Sequence, residues 1–341
     1  MAAALALAGR GRGRTAPNPN VGCVIVKGGH VIGRGWTQPG GRPHAEAMAL
    51  AEAGDAAAGS TLYATLEPCA HVSPRGPACA DLIVAAKPSR AVIAIGDPDP
   101  RTAGEGFARL RAAGIVVEEG LLAAEARRSM AGFLTRRSLG RPFVTLKLAT
   151  SLDGAIAMAS GESRWITGPE ARAHAHLERS RHDAILVGRG TWEADAPRLD
   201  VRLPGLKERS PERFVLTSSP LRRQGPMSLP ADPPLEDGRD GPLPSQARRV
   251  KIIDSPQAIA ALPNVDHLFV EGGAQTASAF LAADLVDRLL LYRAPILIGA
   301  GKPALHDIGL AQLPDAHRRW ALADARTLGS DRLEVYERQR S

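Results

Sequence analysis

Cysteine is scarce in this 341-residue chain, which has only Cys23, Cys69 and Cys79. So small and odd a set cannot staple a secreted disulfide framework. It points to a reducing compartment and to thiols used for metal binding or catalysis. Aromatic residues make up only 4% of the chain. That is too few for a platform on which nucleic-acid bases stack, and no block of Lys and Arg interleaved with aromatics occurs. Long apolar runs are missing too: none reaches the ~20 residues of a membrane helix. The opening MAAALALAG is short, and its arginines follow rather than precede it. The expectation is a soluble, cytoplasmic protein with neither membrane nor nucleic acid among its partners.

What is present describes an ordinary globular chain. Hydrophobic residues are 44% and charged residues 23%, a balance that excludes disorder. The length exceeds one usual hydrophobic core, so two domains are expected. The 43 Lys and Arg outnumber the 36 Asp and Glu, for a net charge of +7. Such a surface favours anionic partners, among them a phosphorylated metabolite or a dinucleotide.

Periodicity and turn residues place the elements. AAALALAG reads as a helix, and VGCVIVKGGHVIGRGW as a hairpin split at Lys27-Gly28-Gly29. HAEAMALAEAG has helical composition and stops at Gly54. Strands at STLYATLEP, RAVIAIGDP and IVVEEG then alternate with helices at CADLIVAAK and EGFARLRAAG, and one helix is expected from about Leu121 to Arg137. Gly140 and Pro142 mark a boundary, giving domains over 1–141 and 142–341. From Phe143 the alternation restarts through FVTLKLA, PEARAHAHLERSR, AILVG, RFVLTS, HLFVEGG, AQTASAFLAAD and DRLLLYRAPIL. The fold class is therefore α/β, two layered domains. The Pro- and Arg-rich stretch from about Ser218 to Arg249 reads as long surface connections.

The first chemical cluster combines PHAEAMALAEAG with TLEPCAHVSPRGPAC. Catalytic zinc takes three protein ligands and leaves one position for water, and His44, Cys69 and Cys79 make up such a set. Glu46, a carboxylate outside that set, is the candidate proton carrier. HxE followed by PCxxC is the pattern of zinc deaminases. Here nine residues, not two, separate the two cysteines. His71 is a rival ligand, and Cys23, inside an apolar strand, reads as a small buried hydrophobe.

In the second half, Lys147 interrupts the apolar strand FVTLKLA. An ammonium there wants an anionic or carbonyl-like partner, unless its stem merely snorkels along a strand edge. HLFVEGGAQTASAF runs from strand through Gly272-Gly273 into helix. That turn suits either a phosphate at the helix N-terminus or tight packing. Without a GxGxxG after a first strand, an ordinary Rossmann site is not expected.

Several longer segments resemble the bifunctional riboflavin-biosynthesis family, a deaminase fused to a reductase. They are TAPNPNVGCVIV, TLEPC with PCAHVSPRGPAC, GDPDPRTAGEGFARLRAAGIVVEEG, KLATSLDGAIAMASGESRWITG, ILVGRGTWEADAPRLDVR and FVEGGAQTASAFL. The metal loop carries one residue more than the family's usual spacing, and Asp200 stands where Thr is common. The resemblance implies a cytidine-deaminase-like α/β/α domain followed by a dihydrofolate-reductase-like domain. It implies Zn2+ and NADPH as cofactors and a phosphorylated pyrimidine as substrate, deaminated first and then reduced at its ribosyl group.

By the same resemblance, Asn18 and Arg75 would hold the pyrimidine and the ribose phosphate of the first reaction. NADPH would touch Ala149, Trp165, Thr191, Asp195 and Ser218, and the turn formed by Gly273, Ala274, Gln275, Thr276, Ala277, Ser278 and Ala279. The substrate of the second reaction would touch Ser163, Arg179, Leu199, Arg202 and Glu271, with Lys147 positioning or protonating it. Asp153 is either a polar group near the nicotinamide or a former of the SLDG turn. Further copies of the chain are expected as partners, in a homo-oligomer. Two competing readings are a nucleic-acid or nucleoside deaminase with an unrelated C-terminal binding domain, and a fusion with one inactive half.

Overall fold

The computed structural model describes residues 1–71, 73–217 and 250–340. The surface connections expected between Ser218 and Arg249 lie outside the described residues, and so does the cofactor contact expected of Ser218. The chain divides into two compact units, Met1–Arg141 and Pro142–Ser341.

In the first unit the elements run α1 (Ala2–Ala8), β1 (Gly22–Lys27), β2 (His30–Trp36), α2 (Ala45–Ala53), β3 (Thr61–Ala64), α3 (Cys79–Ala86), β4 (Arg90–Ile93), α4 (Glu105–Ala112), β5 (Val116–Glu119), α5 (Ala123–Ser129) and α6 (Ala131–Leu139). The five strands form one sheet in the order β2-β1-β3-β4-β5. β1 pairs antiparallel with β2 and β3, whereas β3, β4 and β5 run parallel. The β1–β2 turn needs two left-handed residues, supplied by Gly28 and Gly29 at φ 56° and 79°. Ile25, Leu62, Ile83, Ile93 and Leu110 fill the core between sheet and helices. The single helix expected from Leu121 is two helices, α5 and α6, because the chain leaves helical geometry at Met130. Met130 is fully buried in the same core, a tertiary demand that helix propensity does not contain.

The second unit holds β6 (Phe143–Thr150), β7 (Ala155–Ala157), α7 (Pro169–Arg179), β8 (Ala184–Gly188), α8 (Arg189–Asp195), β9 (Glu212–Leu216), β10 (Val250–Ile253), β11 (His267–Val270), α9 (Ala274–Ala282), β12 (Arg288–Arg293), β13 (Lys302–Pro303), β14 (Trp320–Leu328) and β15 (Asp331–Arg338). Eight of its strands form a sheet in the order β10-β9-β8-β11-β6-β12-β15-β14. Pairing is parallel from β10 to β12 and antiparallel across β15 and β14. On β8, Leu186 packs with Phe214 and Phe280, while Ile185 and Val187 pack with Phe269 and Tyr292. Both sheet faces are thus covered, which is why AILVG carries no polar alternation. No such pattern marks β14, which is exposed along most of its length. Among the described residues, no helix is long and apolar enough to cross a membrane.

Candidate active sites

The first site forms where two helix starts converge. His44 is extended backbone at the N-cap of α2, and Glu46 sits in that helix's first turn. Glycines on β2 let α2 lie close against the strand. A Cβ at Gly35 would sit 1.9 Å from the Ala45 carbonyl oxygen, and one at Gly33 would sit 2.2 Å from that of Ala49. No side chain fits in either gap. Cys79 opens α3, and its N–H donates to Cys69 Sγ at 3.3 Å. His44 Nδ1 lies 3.3 Å from Cys79 Sγ and 3.6 Å from Cys69 Sγ.

One ligand atom from each of these three residues falls within a 4.8 Å cluster. An imidazole nitrogen with two thiols, both buried, is a donor set that fits zinc with one position left open. His71 stands apart, with its Nδ1 3.3 Å from Thr102 Oγ1. The Cys23 thiol is buried in β1, and burial, reinforced by Glu46, raises it well above the usual range. Burial also lifts the Glu46 carboxyl to about 7, against the opposing pull of His44. Hydrogen bonds to Cys69, from Cys79 first and then from His44, bring its thiol down to about 4.

Asn18 and Arg75 both lean on one tight turn. Asn18 Nδ2 donates to the Gly41 carbonyl at 2.9 Å and lies 3.1 Å from His44 Nε2. Gly41 has φ 86°, and a Cβ there would strike Asn18 Cγ at 2.6 Å. The exposed Arg75 Nη2 donates to the Gly40 carbonyl at 2.8 Å. Glu67 has a role that its place in the EPC motif does not disclose. Its buried carboxylate accepts the N–H groups of Asp97 (3.0 Å), Gly104 (3.1 Å), Gly106 (3.0 Å) and Phe107 (3.3 Å). It thereby caps α4 and ties the start of the DPDPR segment to the chain two residues before Cys69.

The second unit contains a cavity of about 1400 Å³. Lys147 and Ala149 of β6 line it, with Ser163, Trp165, Arg179, Thr191, Asp195, Leu199, Arg202 and Glu271. Lys147 finds the anionic partner its strand position calls for, with Nζ 3.9 Å from Glu271 Oε2. Arg179 grips the same carboxylate through two hydrogen bonds, Nε to Oε1 at 2.6 Å and Nη2 to Oε2 at 3.0 Å. Burial opposes ionisation of Glu271, but Arg179 and Lys147 outweigh it and hold the carboxyl at about 2. Burial lowers the Lys147 ammonium, with Glu271 partly restoring it.

The turn before α9 is tight for two reasons. A Cβ at Gly272 would lie 2.6 Å from Thr276 Cβ, so packing requires that glycine. Gly273 caps α9, and its N–H donates to Thr191 Oγ1 at 3.3 Å. Gly273, Ala274, Gln275, Thr276 and Ala279 line the cavity. Ala277 and Ser278, expected among the cofactor contacts, face elsewhere. Ala277 is fully buried in the core, and Ser278 Oγ accepts from the His306 N–H at 2.8 Å. The helical period accounts for this: the cavity meets the first residues of α9 and then Ala279, and the turn of the helix carries Ala277 and Ser278 into the packing. Asp153 forms its turn, accepting from Ser151 Oγ and from the N–H groups of Ile298 and Gly299. His176 and Tyr292 also line the cavity, although no sequence pattern singles them out.

Residues 142–333 match the family described as the RibD C-terminal domain, and residues 1–95 match the cytidine and deoxycytidylate deaminase zinc-binding region. The chain is 41% identical to the riboflavin biosynthesis protein RibD of Escherichia coli, across 97% of this chain and 96% of that one. It is 37% identical to RibD of Aquifex aeolicus, across 93% and 91%. Among solved structures, Acinetobacter baumannii RibD superposes with a TM-score of 0.83 at 36% identity, covering 100% of this chain and 98% of that one. The Thermotoga maritima diaminohydroxyphosphoribosylaminopyrimidine deaminase/5-amino-6-(5-phosphoribosylamino)uracil reductase gives 0.83 at 32% identity, covering 99% and 97%. With a His-Cys-Cys cluster in one unit and a large cavity in the other, the chain belongs to the RibD family of bifunctional riboflavin-biosynthesis enzymes, which join a zinc-dependent deaminase to an NADPH-dependent reductase.

Proposed function

We propose that residues 1–141 carry out the deamination and residues 142–341 the reduction, with the roles of individual side chains as follows. His44, Cys69 and Cys79 hold zinc, which when bound lowers the pKa of a coordinated water toward about 7. Asn18 and Arg75 bind the phosphorylated diaminopyrimidinone, Arg75 through its phosphate. Glu46 moves protons between the attacking water, the ring nitrogen and the leaving amine. The ring carbon gains an oxygen, its C–N bond breaks, and ammonia leaves. The observation that carries this reading is the convergence of three ligand atoms within 4.8 Å, with the buried carboxylate of Glu46 two residues from His44.

In the second half, the cavity end of α9 has no side-chain cap, which suits the pyrophosphate of NADPH. Trp165, 63% exposed beside the cavity, offers an aromatic face. Ala149, Thr191 and Asp195, with Gly273, Ala274, Gln275, Thr276 and Ala279 of the turn before and into α9, complete this cofactor assignment. NADPH when bound supplies a hydride to the sugar's C1′. Arg179 and Arg202 bind the substrate's phosphate, Glu271 orients ribose hydroxyls, and Ser163 and Leu199 flank the substrate. Lys147 positions or protonates the opened sugar. A homo-oligomer located in the cytoplasm is part of the same proposal.

The test is a two-part assay on purified, zinc-analysed protein: ammonia release from the diaminopyrimidinone ribosyl phosphate, then NADPH oxidation with its product. Both activities with about one zinc per chain are expected. Ammonia without NADPH oxidation would mean an inactive reductase half, and neither activity would direct the search to nucleic-acid substrates.

A further inference from the structure

Arg179 and Arg202, the two arginines assigned to the substrate's phosphate, are held very differently. Arg179 is locked on Glu271 by two hydrogen bonds, whereas the Arg202 side chain is 54% exposed and its Nε stays 3.8 Å from Asp200 Oδ1. The hydrogen bond that orients the Arg202 side chain comes from α7. Arg202 Nε lies 3.2 Å from His176 Nε2, and His176 Nδ1 lies 3.1 Å from the Asp200 carbonyl oxygen. A guanidinium N–H can only donate and a carbonyl can only accept. Together they select one neutral tautomer, in which Nδ1–H donates to Asp200 and the Nε2 lone pair accepts from Arg202.

The alternatives fail at one contact or the other. The Arg202 backbone N–H is 3.3 Å from Nδ1. Accepting it would need the opposite tautomer, which sets N–H against N–H at Nε2. A protonated ring would do the same and add a repelling charge. The groups facing the ring resist protonation: burial acts first, then Arg179 and Arg202, with Glu271 and the Asp200 carbonyl opposing, and the imidazole falls to about 4. The same Asp200 carbonyl accepts Arg179 Nη1 at 3.0 Å, and the buried Asp200 carboxylate pairs with Arg198 at 2.8 Å. The anchor beneath the imidazole is thus itself fixed.

We propose that His176 is a positioning residue of the reductase site, whose Nε2 lone pair sets the plane of the Arg202 guanidinium and so aims that cation at the substrate's phosphate. This rests on the assignment of Arg202 to the phosphate. A geometry held by one neutral acceptor gives the site a cation that is already aligned before the ligand arrives, and less ordering remains to be done on binding.

The test uses the full chain, with urea unfolding of the second unit, which contains His176, as the control for folding. His176→Leu keeps the bulk and removes the lone pair, while His176→Gln restores an acceptor. At saturating NADPH, His176→Leu should raise KM for the aminouracil ribosyl phosphate about tenfold, with kcat within about threefold. His176→Gln should return KM to within about threefold of the parent. Paired with Arg202→Ala, His176→Leu should add little, because both remove one interaction. An unchanged KM in His176→Leu would overturn the proposal while leaving the Arg202 assignment standing. A His176→Gln as impaired as His176→Leu would overturn it as well, reducing the residue to packing. An unchanged KM in Arg202→Ala would instead overturn the phosphate assignment itself.

Discussion

The two sites are assembled on opposite plans. The first takes its donor set from two short stretches, His44 to Glu46 and Cys69 to Cys79, packed at the starts of α2 and α3. The second gathers Lys147, Arg179, Arg202 and Glu271 from β6, α7 and two loops, separated by more than a hundred residues along the chain. A metal site needs few ligands at close range, so short motifs suffice. A cavity of about 1400 Å³, proposed above to hold a dinucleotide and a second substrate, needs walls from many elements. The chemistry of the first site is concentrated in a few atoms, and that of the second is distributed over charge pairs that brace one another.

That contrast predicts a graded set of losses. Glu46→Gln should lower ammonia release by about a thousandfold, since a positioned proton carrier contributes roughly 10²–10⁴, while NADPH oxidation continues. Parallel loss of both activities would break the separation between the sites. Lys147→Ala should reduce NADPH oxidation by about two orders of magnitude, within the range for a general acid, and leave ammonia release intact. Normal reduction in that variant would remove Lys147 from the mechanism.

The bracing in the second site should also appear as acid sensitivity. Glu271 is held at about 2 in the fold, below the usual carboxylate value of 4.5. Its depressed value contributes stability that is present above about 4.5 and lost as the pH falls toward about 2. The contribution is on the order of 3 kcal/mol. Urea unfolding of the second unit, followed between pH 5 and 2.5, should show that loss, and Glu271→Gln should flatten it. The smallest expected effect is structural: Glu67→Gln weakens a carboxylate that accepts four backbone N–H groups. It should destabilise the first unit by about 1–2 kcal/mol, measured by thermal unfolding, with the second unit's transition unmoved.

Much of the arrangement was legible in the residues themselves. The His44, Cys69 and Cys79 ligand types, the apolar strands and the Gly54 stop carry their meaning locally. Other features were not. Gly33 and Gly35 read as ordinary strand residues, yet they admit α2 to within contact of β2. Glu67 stands two residues before Cys69, yet its carboxylate binds backbone some thirty to forty residues away. Ala277 and Ser278 followed a glycine turn that pointed toward a cofactor, and the helix rotated them into the packing. His176 was one polar residue among several on α7 until Asp200 and Arg202 were folded against it.

By itself, then, the sequence determined the alternating α/β order, the candidate metal-ligand side chains and the placement of a lone lysine in an apolar strand. These depend on side-chain chemistry and on periods of two or 3.6 residues, which are local properties. The tertiary structure alone decided that nine intervening residues return Cys79 to Cys69, that Glu271 faces Lys147 and Arg179 at once, and that His176 has a single workable tautomer. Each of those is a distance between groups remote in the chain, set by how sheets and helices bury their apolar faces, and no local pattern encodes it.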